Sequence, residues 1–140
     1  MVRNQQILLV RHTDEGKYDY WSPPGGGVEG SEELAEAAQR EVLEETNINV
    51  RIKQLAYIDE LIDPGERMVK FWFLGEYVSG EIDVGRNPAS GEKTSEAGWF
   101  TQQRLPAGYV FPYILRDQLW LDLEKGRVAP RKLPLQRSVF

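Results

Sequence analysis

The chain has 140 residues, 41% of them hydrophobic, which suits one domain around a single core and leaves no room for a second catalytic domain. It contains no cysteine, which excludes disulfides and thiolate metal sites, and no N-terminal apolar run reads as a signal peptide or membrane span, so a cytoplasmic protein is expected. The net charge of −5 is concentrated: residues 26–48 hold seven Glu against Arg40, a net of −6 that leaves the remainder at +1. That distribution argues against extended nucleic-acid binding, which needs clustered Lys and Arg, and for an acidic site that meets an anionic substrate through a cation.

In chain order, the apolar run within 5–12 predicts a buried strand, and the polar stretch 13–19 a loop. His12, the only histidine, is expected at the surface end of that strand, and with no second His or any Cys a zinc site is unsupported. Its neighbour Arg11 is either structural or within reach of a substrate phosphate. Tyr18, Tyr20 and Trp21 precede Ser22-Pro23-Pro24, and these aromatics have two readings, core packing or stacking on a substrate ring. Gly25, Gly26 and Gly27 let the backbone approach whatever follows, and at least one is expected in a conformation closed to other residues. Ser31 is a candidate N-cap for a helix whose apolar stripe is Leu34, Ala37, Ala38 and Val42, with Glu33 and Glu36 on a solvated face. On that helix Glu41, Glu44 and Glu45 stand at i, i+3 and i+4 and share one face. Like charges so close repel, and hard oxygen ligands on one face are what Mg²⁺, or Mn²⁺, binds.

The order Gly26, Glu32, Arg40, Glu41, Val42, Glu44, Glu45 and Ile48, at the spacing in which they occur, resembles a Nudix box. The one departure is Asn47 where the pattern has Gly; that position ends the helix, and Asn is the next best residue at positive φ. The resemblance implies an α/β fold, an α/β/α sandwich around a mixed β-sheet. It implies metal ligation by Glu41, Glu44 and Glu45 together with the Gly25 carbonyl. Arg40 and Glu32 would stand behind those ligands, Arg40 clamping the carboxylates in one rotamer; a surface ion pair is the other reading of Arg40.

Two further strands are predicted over 50–59 and 68–77, joined by a connection over 60–67 in which Asp63-Pro64-Gly65 is a turn. Pro64 also lies 16 residues past Ile48, an offset at which a proline accompanies the ADP-ribose pyrophosphatases of the resembling family. The turn reading and the substrate reading stay open together. A polar loop over 79–95 leads to a Trp99-Phe100 strand, and the resemblance implies a further glutamate there as metal ligand or general base, either Glu92 or Glu96. A last helix begins near Pro112, with Leu115, Leu119 and Leu123 on one face and Gly126 at its end. Residues 1–126 are thus expected to form the domain and 127–140 a basic tail, extended against a partner subunit in a homodimer or else a disordered end.

The reaction the resemblance implies is Mg²⁺-dependent hydrolysis of a nucleoside diphosphate linked to another moiety, ADP-ribose or a similar nucleotide sugar first, by attack of water on the diphosphate. Glu44 or a loop glutamate would accept the proton. The alternatives are pyrophosphohydrolysis of a (deoxy)nucleoside triphosphate and a non-catalytic nucleotide-binding module.

Overall fold

The computed structural model describes residues 2–86, 94–126 and 129–138. Strands β1 (Val2–Arg3), β2 (Gln6–Asp14) and β3 (Tyr18–Ser22) come first. The loop expected up to Asp19 closes earlier. Gly16 supplies a positive φ of 77° and the Lys17 N–H bonds the Asp14 carbonyl at 2.9 Å, so the aromatics at 18–21 lie on a strand. Helix α1 covers Leu34–Thr46, and Asn47 ends it in the left-handed conformation, φ 61°, with its N–H on the Leu43 carbonyl, as its place in the sequence pattern predicts.

The N-cap is Glu33, not Ser31: the Glu33 N–H donates to Glu36 Oε2 at 2.8 Å, and a carboxylate in the first turn suits the positive end of the helix. Leu34 is left exposed at 43%, because the helix buries the side carrying Ala37, Glu41, Val42, Glu45 and Thr46. The expected stripe is therefore rotated toward the carboxylates.

Strands β4 (Asn49–Asp63) and β5 (Glu66–Ser79) form a long antiparallel hairpin. The connection expected over 60–67 is only the pair Pro64-Gly65, with Gly65 at φ 93°. The rest of that stretch extends the two strands, and Arg67 Nη1 meets Glu60 Oε1 across the ladder at 2.5 Å. Strand β6 (Thr94–Phe100) returns to pair with β2, β7 (Tyr109–Val110) pairs with β3, and α2 (Gln118–Glu124) follows a 3₁₀ turn at Tyr113–Leu115. The last helix thus starts later than Pro112. Leu115 and Leu119 are buried as their spacing predicts, and Trp120 is tied down by its indole N–H on the Leu115 carbonyl at 2.7 Å.

Two short strands, β8 (Arg131–Lys132) and β9 (Gln136–Arg137), end the chain's described part, and the sheet order is β7-β3-β2-β1-β5-β4-β8, with β6 added to β2 and β9 to β4. Here β8 and β9 both run parallel to β4. The extended segment after the last helix thus lies on the edge of the chain's own sheet. Leu133 is buried in the core, and its N–H bonds the Ile58 carbonyl at 2.8 Å.

Alternation along β2 divides the layers. Leu8 packs with Val42, Ile48 and Val50 under α1, while Ile7 and Leu9 pack with Leu115, Leu119 and Trp120 under α2. The result is a mixed, curled sheet between two helices. No helix among the described residues is long and apolar enough to cross a membrane.

Candidate active site

The site is built where the glycine turn crosses α1. Arg40 is its centre. Its Nη2 donates to Glu32 Oε1 at 2.7 Å and to the Gly27 carbonyl at 2.8 Å, and its Nε to Glu32 Oε2 at 3.1 Å. Its Nη1 donates to Glu41 Oε1 at 2.8 Å and to Glu44 Oε2 at 3.1 Å. One planar fork therefore fixes three carboxylates and the turn, which a lysine could not do. The guanidinium's affinity for its proton rises, chiefly through Glu32, and Glu32 is held below the ordinary glutamate value by Arg40 first and by the Glu29 N–H second.

Glu45 is held separately. It is 2% exposed; the Gly25 N–H donates to its Oε2 at 2.9 Å and the Thr94 hydroxyl to its Oε1 at 3.1 Å. Glu41 is also buried, at 8%, whereas the Glu44 side chain is 28% exposed on the flank of the helix. The contact the structure gives Gly25 runs through its N–H.

Gly26 is required for a reason the sequence does not reveal. None of Gly25, Gly26 and Gly27 has a positive φ, so the conformational expectation for the triplet is not met. A Cβ on Gly26, however, would lie 2.4 Å from Glu41 Oε1, while Gly25 and Gly27 have nothing within 4 Å of that position. The turn is pressed onto a carboxylate.

Among the described residues, no three His, Asp or Glu side chains converge closely enough to enclose an ion. The chemistry of the donor set nonetheless fits a hard divalent cation. Glu41, Glu44 and Glu45 crowd one stretch of helix against a turn that a single Cβ would obstruct, and Arg40 now neutralises part of their charge.

The other candidates fall elsewhere. Arg11 is engaged by carboxylates: Asp19 takes its Nε at 2.9 Å and its Nη2 at 2.8 Å, and Glu96 its Nη1 at 3.1 Å. Asp19 in turn is held below its ordinary value by that bond. Glu96 thus faces Arg11, away from Glu45, and Glu92 lies outside the described residues. Tyr20 is buried and stacks on His12, ring centroids 5.0 Å apart, so His12 is in the interior and not at the surface as expected. Trp21 is half-buried edge-to-face with Phe100 at 5.2 Å. Pro64 sits at the exposed tip of the β4–β5 hairpin. Thr94 and the Gly27 carbonyl, both part of the carboxylate scaffold, carry no motif signal; only the fold brings Thr94 to Glu45, 49 positions away.

Fold and site together define a mixed sheet between two helices with a glycine turn and an Arg-clamped cluster of helix carboxylates. The sequence profile of the NUDIX domain matches residues 1–118, and the chain belongs to the Nudix family. A NAD-capped RNA hydrolase NudC from Erwinia tasmaniensis is 30% identical over 123 residues, covering 85% of this chain and 44% of the relative. A putative 8-oxo-dGTP diphosphatase from Bacillus subtilis is 37% identical over 103 residues, 74% of this chain and 62% of the relative. The chain therefore spans less than two thirds of either relative's length. Among solved structures, a MutT Nudix hydrolase from Burkholderia pseudomallei superposes with a TM-score of 0.71 at 29% identity, over 85% of this chain and 92% of that one. An ADP-ribose pyrophosphatase from Streptococcus suis gives 0.65 at 24% identity, over 94% and 92%, a likeness of fold.

Proposed function

We propose that the chain hydrolyses a diphosphate linkage in a small nucleotide derivative with the help of Mg²⁺. The observation that carries this is the double restraint on the helix carboxylates, Arg40 fixing Glu32, Glu41 and Glu44 while Gly25 and Thr94 fix Glu45. Glu41, Glu44 and Glu45, with the Gly25 carbonyl, would hold the cation, which when bound supplies charge neutralisation to the diphosphate and acidifies water. Arg40 sets the carboxylate rotamers through its fork, so that the oxygens need little reorganisation on meeting the substrate complex. Glu45, buried and doubly hydrogen-bonded, is the most rigid of the three. Glu44, on the open flank, is the one placed to take a proton from attacking water, a role worth roughly 10²–10⁴-fold in rate.

ADP-ribose or a similar nucleotide sugar is the first substrate reading, on the position of Pro64. The second is pyrophosphohydrolysis of a nucleoside triphosphate, which the 37% identity to the putative 8-oxo-dGTP diphosphatase favours. The discriminating experiment is phosphate or nucleotide release from ADP-ribose, NAD, nucleotide sugars and (deoxy)nucleoside triphosphates with Mg²⁺, run beside Glu45→Gln. Turnover of one class, abolished by Glu45→Gln, is expected. Triphosphate turnover without ADP-ribose turnover overturns the first reading, and tight binding with no turnover of any of them overturns hydrolysis itself.

A further inference from the structure

Asn47, where the family pattern has Gly, does more than end the helix. Its backbone takes the left-handed cap, φ 61° and ψ 19°, which glycine would take at least as well. Its side chain does what glycine cannot: Nδ2 donates to the Glu81 carbonyl at 3.1 Å, across 34 positions. That bond joins the end of α1 to the segment leaving β5.

The segment, residues 80–83, is seated on the helix end by further contacts. The Asp83 N–H donates to the Thr46 carbonyl at 3.0 Å, and the Tyr77 hydroxyl to the Gly80 carbonyl at 2.9 Å. Ile82, half-buried, packs against the cluster of Leu8, Val42, Ile48 and Val50. Gly80 leaves no gap: at φ 100°, a Cβ on it would lie 2.4 Å from the Asn47 carbonyl oxygen and 3.3 Å from Ile48 Cα. Those are backbone atoms, unable to retreat as the end of a side chain can. Backbone therefore lies on backbone at Asn47, on an approach that only glycine permits.

What this contact holds is the turn that carries the chemistry. The last turn of a helix frays readily, because its final carbonyls have no partner within the helix. In α1 that turn contains Glu44 and Glu45, and here it is closed. The Asn47 N–H takes the Leu43 carbonyl at 2.8 Å, and the Asp83 N–H takes that of Thr46. Thr46, 0% exposed, puts its hydroxyl on the Val42 carbonyl at 2.6 Å and accepts the Ile48 N–H at 3.3 Å. The bonds from Asp83 and from Asn47 Nδ2 tie the turn to a distant part of the chain, so the backbone under both carboxylates is held as well as their tips.

We propose that Asn47 is a positioning residue for the reaction, its amide bracing the last turn of α1 against residues 80–83 and thereby fixing Glu44 and Glu45. The inference rests on the hydrolytic reading given above and adds a residue that acts through the helix backbone. The test compares the full chain as wild type, Asn47→Gly and Asn47→Asp. Glycine keeps the left-handed cap and removes the side chain; aspartate tolerates the same backbone, keeps the shape and removes the donor. Urea melts establish that each variant is folded. Steady-state turnover of the substrate found in the nucleotide panel gives kcat and KM. Amide hydrogen exchange by NMR, in EDTA without substrate, reports the opening of the Asn47 and Asp83 N–H bonds. Both variants should lose about threefold to tenfold in kcat at unchanged KM, one neutral hydrogen bond's worth, and both amides should exchange faster by a similar factor.

A residue that only caps the helix behaves otherwise, since Asn47→Gly would then equal or surpass wild type in stability, kcat and protection. That result overturns the brace. So does a loss confined to Asn47→Asp, whose new carboxylate faces the Glu81 carbonyl, and so does faster exchange with kcat retained, which leaves a structural tie with no part in positioning. A wild type that turns over no substrate sinks the hydrolytic reading instead, and the exchange rates alone then decide whether the brace stands.

Discussion

Replacing Gly26 by alanine tests the site at one atom. The added Cβ would lie 2.4 Å from Glu41 Oε1, 2.6 Å from its Cδ and 2.9 Å from Oε2, so the carboxylate must retreat by about 1 Å to reach ordinary contact beyond 3.4 Å. It is the end of a flexible chain, so the retreat is sterically cheap. It moves Glu41 off Arg40 Nη1, now at 2.8 Å, while Arg40 keeps Glu32, Glu44 and the Gly27 carbonyl. The lost charge-assisted bond is worth about 1.5–3 kcal/mol at most, and one partner among several is lost, so the fold should survive. Catalysis should not, because a misplacement of about 1 Å in a positioned group can cost about 10²-fold. The assay is steady-state turnover of the substrate found in the nucleotide panel, with urea melts alongside and Gly27→Ala as control, since nothing lies within 4 Å of a Cβ there. We expect kcat for Gly26→Ala to fall about 10²-fold, KM to change little and Gly27→Ala to behave as wild type. A folded Gly26→Ala enzyme with kcat within threefold of wild type, or a Gly27→Ala that loses as much, refutes the positional account of Glu41.

Thr94→Val keeps the shape of the side chain but removes the donor to Glu45 Oε1, and kcat should drop by about fivefold, the equivalent of one ordinary hydrogen bond, with Thr94→Ser restoring it. Equal rates for Val and Ser would mean that Gly25 alone orders Glu45. Leu133→Ala removes a side chain 5% exposed in the main core and should lower stability by about 2–4 kcal/mol in urea melts; an unchanged midpoint would show the segment after α2 to be energetically separate from the domain. Acid titration should separate two carboxyls with opposite signs. Glu32 is held below its ordinary 4.5 by Arg40, so its contribution is present above that value and disappears as the pH falls through the folded pKa. Asp59 is pushed above 3.8 by burial, so its contribution is present in acid and disappears as the pH rises through the folded pKa. Melts across pH 3–7 should show a flatter acid limb for Glu32→Gln and, relative to wild type, growing stability with rising pH for Asp59→Asn; the reverse pattern defeats both assignments.

What was legible in the sequence is what a single element decides. The spacing of Arg40, Glu41, Glu44 and Glu45 is helical periodicity, and the Asn47 cap is a local backbone preference, so both could be read without a fold. The glycine triplet shows where local reasoning stops. Composition pointed to backbone freedom, but the constraint at Gly26 is the space occupied by a carboxylate on another element. The same holds for Asp59 and Gln136, which meet across 77 positions, and for Tyr57, whose hydroxyl donates to Asp122 at 2.6 Å across 65. Strand β6 gives the sharpest case. Strict alternation would put Thr94 and Glu96 on one face and make Glu96 a neighbour of Glu45 as good as any. The ladder with β2 slips by one residue instead, pairing Arg11 with Glu96 but His12 with Thr94. The bulge turns Thr94 toward α1 and leaves Glu96 on the Arg11 side, so a single unpaired residue decides which of two polar side chains serves the carboxylates. No propensity of Thr94, Ser95 or Glu96 announces that slip, because it is a property of how two strands come into register, Arg11 meeting Glu96 across 85 positions.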